Sequence, residues 1–421
     1  MTGPDLHSLQ TRLAAHLDWW GLLHVESDRT YFEWQQKALS SDQLASLHQT
    51  VEAKQAQPQR ADLETAFYDL TADPTILPVL YSQRYELYLT VGPLIAALLA
   101  AEGQAQGTVL DFGCGVGVLT TFYAKVFPNL MVVGLDRSGA SVKAAQERAQ
   151  ALGLTNIRFE SLDIERTPVP GPFDVILSVH ALLQAERELG LPSRDWTTFE
   201  RSHEAAAQQA FEQRTGLGPR LDRLCSLLAE EGRLIAFEKT RELARRIPFQ
   251  RALAAHGLIL TKPPLPLRYR VIEEVSDDGP LYVAGRSLAP SEGHPGNEAQ
   301  PWDETPEERG EAVSSIASLL AQVRTAAVQA SSTSQDPPYE NHTASAESVW
   351  RTLPNRLVRH EQTFTTPTNA QVHVELGESD GLHYLYQATT FDHRQLVLVE
   401  PARAALLEAY YAELLPKQSG K

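Results

Sequence analysis

The sequence contains very little cysteine, since Cys114 and Cys225 are the only two among 421 residues. Two cysteines do not make the disulfide framework of a small secreted protein, and a reducing cytoplasm is the expected environment. No run of about eighteen apolar residues occurs, so the sequence predicts no membrane span. The first residues also lack the charged start and apolar core of a signal peptide, so no leader is expected.

An excess of basic residues is also missing. Lys and Arg number 37 against 53 Asp and Glu, which gives a formal net charge of −16. This balance argues against broad electrostatic binding to nucleic acid or to an anionic membrane. The fractions of hydrophobic residues, 43%, and charged residues, 21%, are ordinary for a soluble globular protein. Two methionines among many Ala, Leu, Gln and Pro residues suggest a bacterial source.

The most informative stretch begins at Val109. A short apolar run ends in Asp111, and glycines follow at alternate positions, Gly113, Gly115 and Gly117, before a helix-like segment. Glycine is needed where the backbone takes a positive φ or where a ligand approaches too closely for a Cβ. The free N–H groups at the start of the next helix favour the polar, anionic parts of a ligand. The stretch therefore predicts a strand, a ligand-binding turn and a helix.

Strands and helices alternate after this turn. The predicted strands are Thr108–Leu110, Leu130–Leu135, Ile157–Glu160, Phe173–Val179, Arg233–Glu238, Leu267–Val275 and Leu281–Arg286. Alternation implies right-handed crossovers and a mostly parallel sheet covered on both faces. The last two strands are joined by a short turn over 276–280 and must be antiparallel. We therefore predict an α/β fold with a doubly wound, mostly parallel seven-stranded sheet and one antiparallel edge strand.

Four regions are predicted along the chain. Residues 1–78 form an N-terminal helical region, a possible lid, with helices over about 5–24, over 62–70 and from a Ser40 cap to Gln55. Residues 79–287 form the α/β domain. Residues 288–347 are a linker with one helix, because 287–310 are rich in Pro, Gly, Ser and Glu. Residues 348–421 form a small α+β unit, in which 377–381 close a hairpin.

The spacing of the glycine turn separates two cofactor classes. Dinucleotide enzymes use G-x-G-x-x-G, but here Val118 stands where their third glycine would fall. The run from Asp111 to Gly117 instead resembles the first motif of the class I S-adenosylmethionine-dependent methyltransferases, and the resemblance covers about residues 80–287. It implies a Rossmann-like fold, S-adenosyl-L-methionine as the cofactor, and methyl transfer as the activity.

The resemblance also implies which residues bind the cofactor, with Gly113, Gly115 and Gly117 forming the turn. Asp136, at the end of the second strand, would accept hydrogen bonds from both ribose hydroxyls. Asp163, after the third strand, would meet the adenine amino group, and Asp111 would lie near the methionine ammonium. Structural alternatives are a helix N-cap for Asp136 and a turn residue for Asp163.

Two further candidates lie at the end of the fourth strand. In open α/β sheets the ligand lies beyond the carboxyl ends of the strands, so Ser178 and His180 should lie near the transferred methyl group. Ser178 is predicted to be a cofactor-binding residue. His180 could be a general base for a hydroxyl acceptor, or equally a pocket wall or a hydrogen-bonded structural histidine. Upstream, Arg84 could reach a carboxylate in the ligand pocket, or could belong to a surface helix that opens at Tyr81.

The leading prediction is a cytoplasmic enzyme that methylates a small molecule, with no membrane or nucleic-acid partner. One alternative is a methyltransferase acting on a protein or RNA, which would dock through the C-terminal unit. Another is a non-catalytic S-adenosylmethionine-binding scaffold. A nicotinamide dehydrogenase fits the glycine spacing less well.

Overall fold

A computed structural model describes residues 5–58, 60–101, 106–185, 190–286, 316–329, 337–342 and 345–416. The chain divides into two compact units. The first comprises Met1–Arg187, Gln208–Arg241 and Phe249–Asn297, and the second comprises Glu188–Ala207, Glu242–Pro248 and Glu298–Lys421. The predicted linker over 287–310 lies outside the described residues. The N-terminal helices and the large sheet belong to the same unit.

Within the described residues, six helices precede the first strand: α1 (Leu6–Trp19), α2 (Asp28–Ala38), α3 (Ser41–Ala56), α4 (Ala61–Thr71), α5 (Ile76–Ser82) and α6 (Tyr85–Ala101). Ser40 caps α3 as predicted, in a capping box with Gln43. The sequence did not reveal α2, whose buried side chain is Tyr31, because most of its residues are polar or charged. The single helix predicted from Tyr81 is in fact α5 and α6, with a break at 83–84.

Helix α1 packs against the sheet. Leu9, Leu13 and Leu17 are fully buried in the same core as Val109 and Leu177 of the strands. His16 also makes polar contacts with the segment that follows the glycine turn. Its Nε2 lies 3.0 Å from the carbonyl oxygen of Val118 and 3.1 Å from Oγ1 of Thr121. Because burial lowers the pKa of His16 to about 4, the imidazole is neutral at neutral pH.

The large sheet contains β1 (Thr108–Phe112), β2 (Met131–Asp136), β3 (Ile157–Ser161), β4 (Phe173–Val179), β5 (Leu228–Phe237), β6 (Leu258–Leu260), β7 (Leu265–Val271) and β8 (Glu274–Arg286). Between the strands lie α7 (Val118–Val126), α8 (Gly139–Ala151), α9 (Ala205–Thr215), α10 (Leu217–Leu227) and α11 (Leu243–Ala255). The strand order is β3-β2-β1-β4-β5-β8-β6, and β7 also pairs with β8. Strands β1 to β5 are parallel and β8 is antiparallel to its neighbours. The predicted fold class is confirmed, with eight strands among the described residues where seven were predicted.

The final hairpin differs from the prediction. The chain reverses at Ile272, and β8 runs without interruption through 276–280, the segment predicted to be the turn. Leu267 pairs with Gly279 while Tyr269 pairs with Ser276, so β8 carries an extra residue at this point. Asp-Gly-Pro chemistry is shared by turns and bulges, and the sequence pattern did not distinguish them.

The second unit contains an antiparallel sheet of β9 (Tyr339–Asn341), β10 (Leu357–Thr365), β11 (Gln371–Ser379), β12 (Leu382–Thr389) and β13 (Arg394–Val399), with α12 (Ile316–Gln329), α13 (Ser345–Thr352) and α14 (Ala404–Leu414). Its strand order is β10-β11-β12-β13-β9. Trp350 stacks on Tyr386 with the ring centroids 4.2 Å apart. A buried ion pair joins Arg394 to Glu347 at 2.8 Å. The hairpin predicted over 377–381 is present, with a tighter turn at Asp380 and Gly381.

Among the described residues, no single helix has the length and apolar composition needed to cross a membrane. Helices α5 and α6 have the required length and apolar composition only when taken together, and the pair is bent by 74° at the break between them.

Candidate active site

A cleft lies at the carboxyl ends of β1, β2 and β4, within the first unit. Its cavity has a volume of about 130 Å³. Parallel strands bring their carboxyl ends to one edge of a sheet, so residues far apart in sequence meet there. The predicted site residues that line the cleft are Asp111, Gly113, Gly115, Asp136, Asp163 and His180.

The three glycines of the turn all adopt positive φ, as the pattern predicts, but they serve different purposes. A Cβ on Gly113 would lie 2.2 Å from Cβ of Ala181, and one on Gly117 would lie 2.9 Å from Cβ of Ala145. These two glycines allow close packing of the turn against its neighbours. A Cβ on Gly115 would meet nothing closer than the Tyr81 hydroxyl, 3.8 Å away. Gly115 is therefore the position where the backbone is open to the cleft.

Asp136 holds the turn in place. Its Oδ2 accepts a hydrogen bond from the backbone N–H of Gly115 at 2.9 Å, and its Oδ1 accepts one from Ser138 at 2.8 Å. Burial raises the pKa of Asp136, and these two N–H groups oppose the rise. The N-cap of α8 is Ser138, whose side chain accepts from the N–H of Ser141. The alternative that Asp136 is the cap is therefore wrong, and each of its oxygens keeps a lone pair for a ligand.

Asp111 is buried beside the turn. Oγ1 of Thr120 donates a hydrogen bond to its Oδ2 at 2.5 Å. Burial raises the pKa of Asp111 to about 6; the hydrogen bond from Thr120 opposes this rise, and the negative charge of Asp136 adds to it. Two carboxylates so close together make this end of the cleft favourable for a cation.

Asp163 is a turn residue that also lines the cleft, and its contact with the adenine amino group stays a prediction. Its Oδ1 accepts a hydrogen bond from the N–H of Glu165 at 3.0 Å, which is the turn interaction, and the residue also lines the cleft. Its neighbours Leu162 and Ile164 line the cleft with it.

Ser178 requires a correction. Its side chain is fully buried, does not line the cleft, and donates a hydrogen bond to Oε1 of Glu238 at 2.8 Å. Side chains alternate along a strand, so Leu177 and Val179 face the cleft while Ser178 points away. The geometry therefore does not support a cofactor contact for Ser178.

His180 is held between two strands. It adopts a left-handed φ of 58°, lines the cleft, and stacks on Phe237 with the ring centroids 5.1 Å apart. Its Nε2 lies 3.1 Å from Oδ2 of Asp278 in the β8 bulge. Burial would raise the pKa of Asp278, but His180 and the hydroxyl of Tyr269 outweigh it and lower that pKa to about 2. Asp278 is therefore a carboxylate placed beside the imidazole.

Sequence reasoning missed two residues that fix the segment after β4. Oε1 of Glu238 accepts hydrogen bonds from the N–H groups of Ala181 and Leu182 at 3.0 and 2.9 Å. Nη1 of Arg220 donates to the carbonyl oxygens of the same two residues at 3.1 and 2.9 Å. An acid at the end of β5 was visible in the sequence, but its partners depend on the pairing of β4 with β5. Asp278 was missed for a similar reason, since its position depends on the bulge.

The part of the cleft lined by α4, α5 and α6 is aromatic. Arg84 lies at the break between α5 and α6, beside the phenol groups of Tyr68, Tyr81 and Tyr88. Its guanidinium carbon lies 5.6 Å from the centroid of the Tyr81 ring. Tyr81 and Tyr88 are buried and all four residues line the cleft, so the surface-helix alternative is wrong.

The cleft suits the cofactor that the sequence implies. The hydroxyl of Tyr123 is buried at its edge and has no hydrogen-bond partner among the described residues. The opening at Gly115, the carboxylates of Asp111 and Asp136 and this free hydroxyl match a ligand that carries both hydroxyl groups and positive charge.

Part of the chain is similar in sequence to known methyltransferases. Residues 104–255, from before β1 to the end of α11, match the family model of a methyltransferase domain. The chain is 37% identical over 102 residues to trans-aconitate 2-methyltransferase of Deinococcus radiodurans, a match that covers 24% of this chain and 36% of that protein. It is 42% identical over 74 residues to ribosomal RNA small subunit methyltransferase C of Pseudoalteromonas translucida, which covers 17% of this chain and 21% of that protein.

A solved structure, magnesium protoporphyrin IX methyltransferase from Synechocystis with bound S-adenosylmethionine, is 20% identical. That match covers 50% of this chain and 81% of the other, with a TM-score of 0.34. This chain spans only 36% and 21% of the lengths of the two relatives named above.

Proposed function

We propose that this chain, whose residues 104–255 form a class I S-adenosylmethionine-dependent methyltransferase domain, transfers a methyl group to a small-molecule acceptor. One observation carries the proposal: β1 and β2 and the segment after β3 bring Asp111, Asp136 and Asp163 to one cleft beside the open backbone of Gly115. These are the positions that the family resemblance assigns to the cofactor.

Each carboxylate has its own part in cofactor binding. Asp136 would accept the ribose hydroxyls through the lone pairs that Gly115 and Ser138 leave free. Asp163 would meet the adenine amino group between Leu162 and Ile164. Asp111 would face the ammonium of the methionine end, where its negative charge stabilises a cation.

The bound cofactor supplies a methyl group on a positively charged sulfur, which is already a strong electrophile. The chain therefore has to align the acceptor and exclude water, and alignment alone can contribute on the order of 7–11 kcal/mol in well-oriented model systems. His180 would accept the proton that a hydroxyl or ammonium acceptor loses, and Asp278 would stabilise the resulting imidazolium.

Two features support a small-molecule acceptor over a nucleic acid. The net charge of −16 disfavours a phosphate backbone. One relative is named for trans-aconitate, a small polycarboxylate, although another is named for ribosomal RNA. The low cysteine content suits a cytoplasmic location.

Transfer of a radiolabelled methyl group from S-adenosylmethionine tests the proposal. The protein is incubated with a bacterial extract, and small molecules, protein and RNA are then separated and counted. We expect label in the small-molecule fraction with the natural chain and a large loss of label with Asp136→Ala. Label in protein or RNA would favour a macromolecular acceptor. Cofactor binding with no label in any fraction would favour a non-catalytic scaffold.

A further inference from the structure

A second cavity, of about 550 Å³, lies among α2, α3, α4 and α5 in the first unit. We call it the helical chamber. Its apolar wall includes Leu44, Leu47, Val51 and Phe67. A cavity of this size with a mostly apolar wall and a few polar groups is typical of a site for an organic ligand.

The helical chamber and the cleft share a wall. Tyr68, Tyr81 and Arg84 line both cavities. A molecule in the helical chamber would therefore lie directly beside the cleft in which the methyl group is presented. The break between α5 and α6 places Arg84 at this junction.

Arg84 differs from the other arginines of the cleft in its partners. Arg137 pairs with Glu64 at 2.6 Å, and Arg220 pairs with Glu165 at 3.1 Å. Arg84 is surrounded by phenol groups and forms no ion pair with a carboxylate among the described residues. Arg84 is half-buried, and a guanidinium in such a place is stabilised by a bidentate anionic partner; carboxylates have the matching geometry.

We propose that the helical chamber is the acceptor site and that it takes an apolar or aromatic molecule carrying a carboxylate or similar anion, which pairs with Arg84. The proposal rests on the function proposed above. A carboxylate could come from the acceptor or from the amino-acid end of the cofactor, and we assign it to the acceptor because Arg84 also faces the helical chamber. The experiment separates the two sources.

Two fluorescent probes of similar aromatic shape test whether the helical chamber binds an anionic group. Anilinonaphthalene sulfonate carries a negative charge, whereas N-phenylnaphthylamine is neutral. We expect the natural protein to bind both probes. Arg84→Met should lower the affinity for the sulfonate roughly tenfold or more, which is the scale of one charged hydrogen bond. Its affinity for the neutral probe should change less than about twofold. Arg29→Met, an exposed arginine of α2, is the matched control and should bind both probes as the natural chain does. Equal affinity of Arg84→Met for the sulfonate would overturn the proposal.

Titration with S-adenosylhomocysteine identifies the source of the anion. We expect its affinity for Arg84→Met to fall much less than that of the sulfonate. A loss of roughly tenfold for S-adenosylhomocysteine, with the sulfonate unchanged, would assign Arg84 to the cofactor and overturn the proposal. Failure of the natural chain to bind S-adenosylhomocysteine would instead contradict the function proposed above, whatever the probes do.

Filling the helical chamber tests its position. Val51→Trp places a bulky side chain into the chamber, while Ser46→Trp adds the same side chain to the exposed face of α3. We expect Val51→Trp to lose both probes and Ser46→Trp to keep them, with both variants binding S-adenosylhomocysteine and melting cooperatively. Unchanged probe binding by a folded Val51→Trp protein would show that the probes bind elsewhere and would overturn the proposal.

Discussion

Asp111 is the residue whose ionisation we expect to control cofactor binding. Burial raises the pKa of this carboxyl to about 6, so it loses its charge in mildly acidic solution. Loss of that charge removes the favourable interaction with the cationic methionine end, and affinity should therefore fall as the pH drops below about 6.

The prediction is a decline in the affinity for S-adenosylhomocysteine between about pH 7.5 and pH 5, measured by calorimetry. Asp111→Asn should bind more weakly and show a flatter profile, because it has no charge to lose. Glu160→Ala, which removes a carboxylate on β3 outside the cleft, is the control and should keep the natural profile. A profile for Asp111→Asn as steep as that of the natural chain would exclude this role.

Alanine substitutions at Gly113 and Gly153 distinguish the cost of backbone strain from the cost of a steric contact. Both adopt positive φ, of 73° and 67°, but a Cβ on Gly113 would lie 2.2 Å from Ala181, whereas one on Gly153 would have no neighbour within 4 Å. Substituting alanine at Gly153 should cost about 1–2 kcal/mol, from φ alone. Gly113→Ala should cost about 1–3 kcal/mol more, because the turn must move away from Ala181. Urea unfolding measures the difference, and equal losses would contradict the packing described.

At the scale of elements, α1 is held by a neutral buried histidine. The pKa of His16 is lowered to about 4 by burial, so between about pH 6.5 and pH 4 the unfolded chain binds a proton that the folded chain does not. Stability should therefore fall as the pH falls through this range, by about 3 kcal/mol from this residue.

Chemical unfolding at several pH values checks the contribution of His16. The difference in free energy of unfolding between the natural chain and His16→Gln should shrink on acidification, since glutamine does not titrate. His48→Gln, at an exposed position of α3, serves as the control and should follow the natural chain. A difference that stays constant with pH would show that His16 is not kept neutral by the fold.

The elements also show what the sequence could and could not predict. Strand β4 has the predicted bounds because most residues from Phe173 to Val179 are apolar, and Asp111 and Asp136 were found because each follows a short apolar run. The break at Arg84 and the bulge at Asp278 were missed. Both depend on tertiary packing, and a local pattern cannot distinguish a bulge from a turn when both use the same residues.

At the scale of the whole molecule, the predicted boundary at residue 78 does not coincide with a division between the two compact units. The N-terminal helices share a core with the sheet, and the second unit includes Glu188–Ala207 and Glu242–Pro248 as well as the C-terminal residues. A linear reading of composition could not show that separate stretches join one unit. The division of the chain into four domains stays a prediction.

Deletion of residues 1–24 tests whether the N-terminal helices are a removable lid. Leu9, Leu13, Leu17 and Trp20 are buried against the sheet, so their loss should expose a large apolar surface. We expect the shortened chain to lose its cooperative melting transition. A folded shortened chain that binds S-adenosylhomocysteine normally would show that α1 is a separate lid.

The central claim is that the cleft beside Gly115 binds S-adenosylmethionine through Asp136. Calorimetric titration with S-adenosylhomocysteine tests it on three proteins: the natural chain, Asp136→Ala, and Glu160→Ala as the control. The account predicts binding by the natural chain and the control, and a loss of about 1.5–3 kcal/mol or more for Asp136→Ala. Equal affinity of the folded Asp136→Ala protein would contradict it.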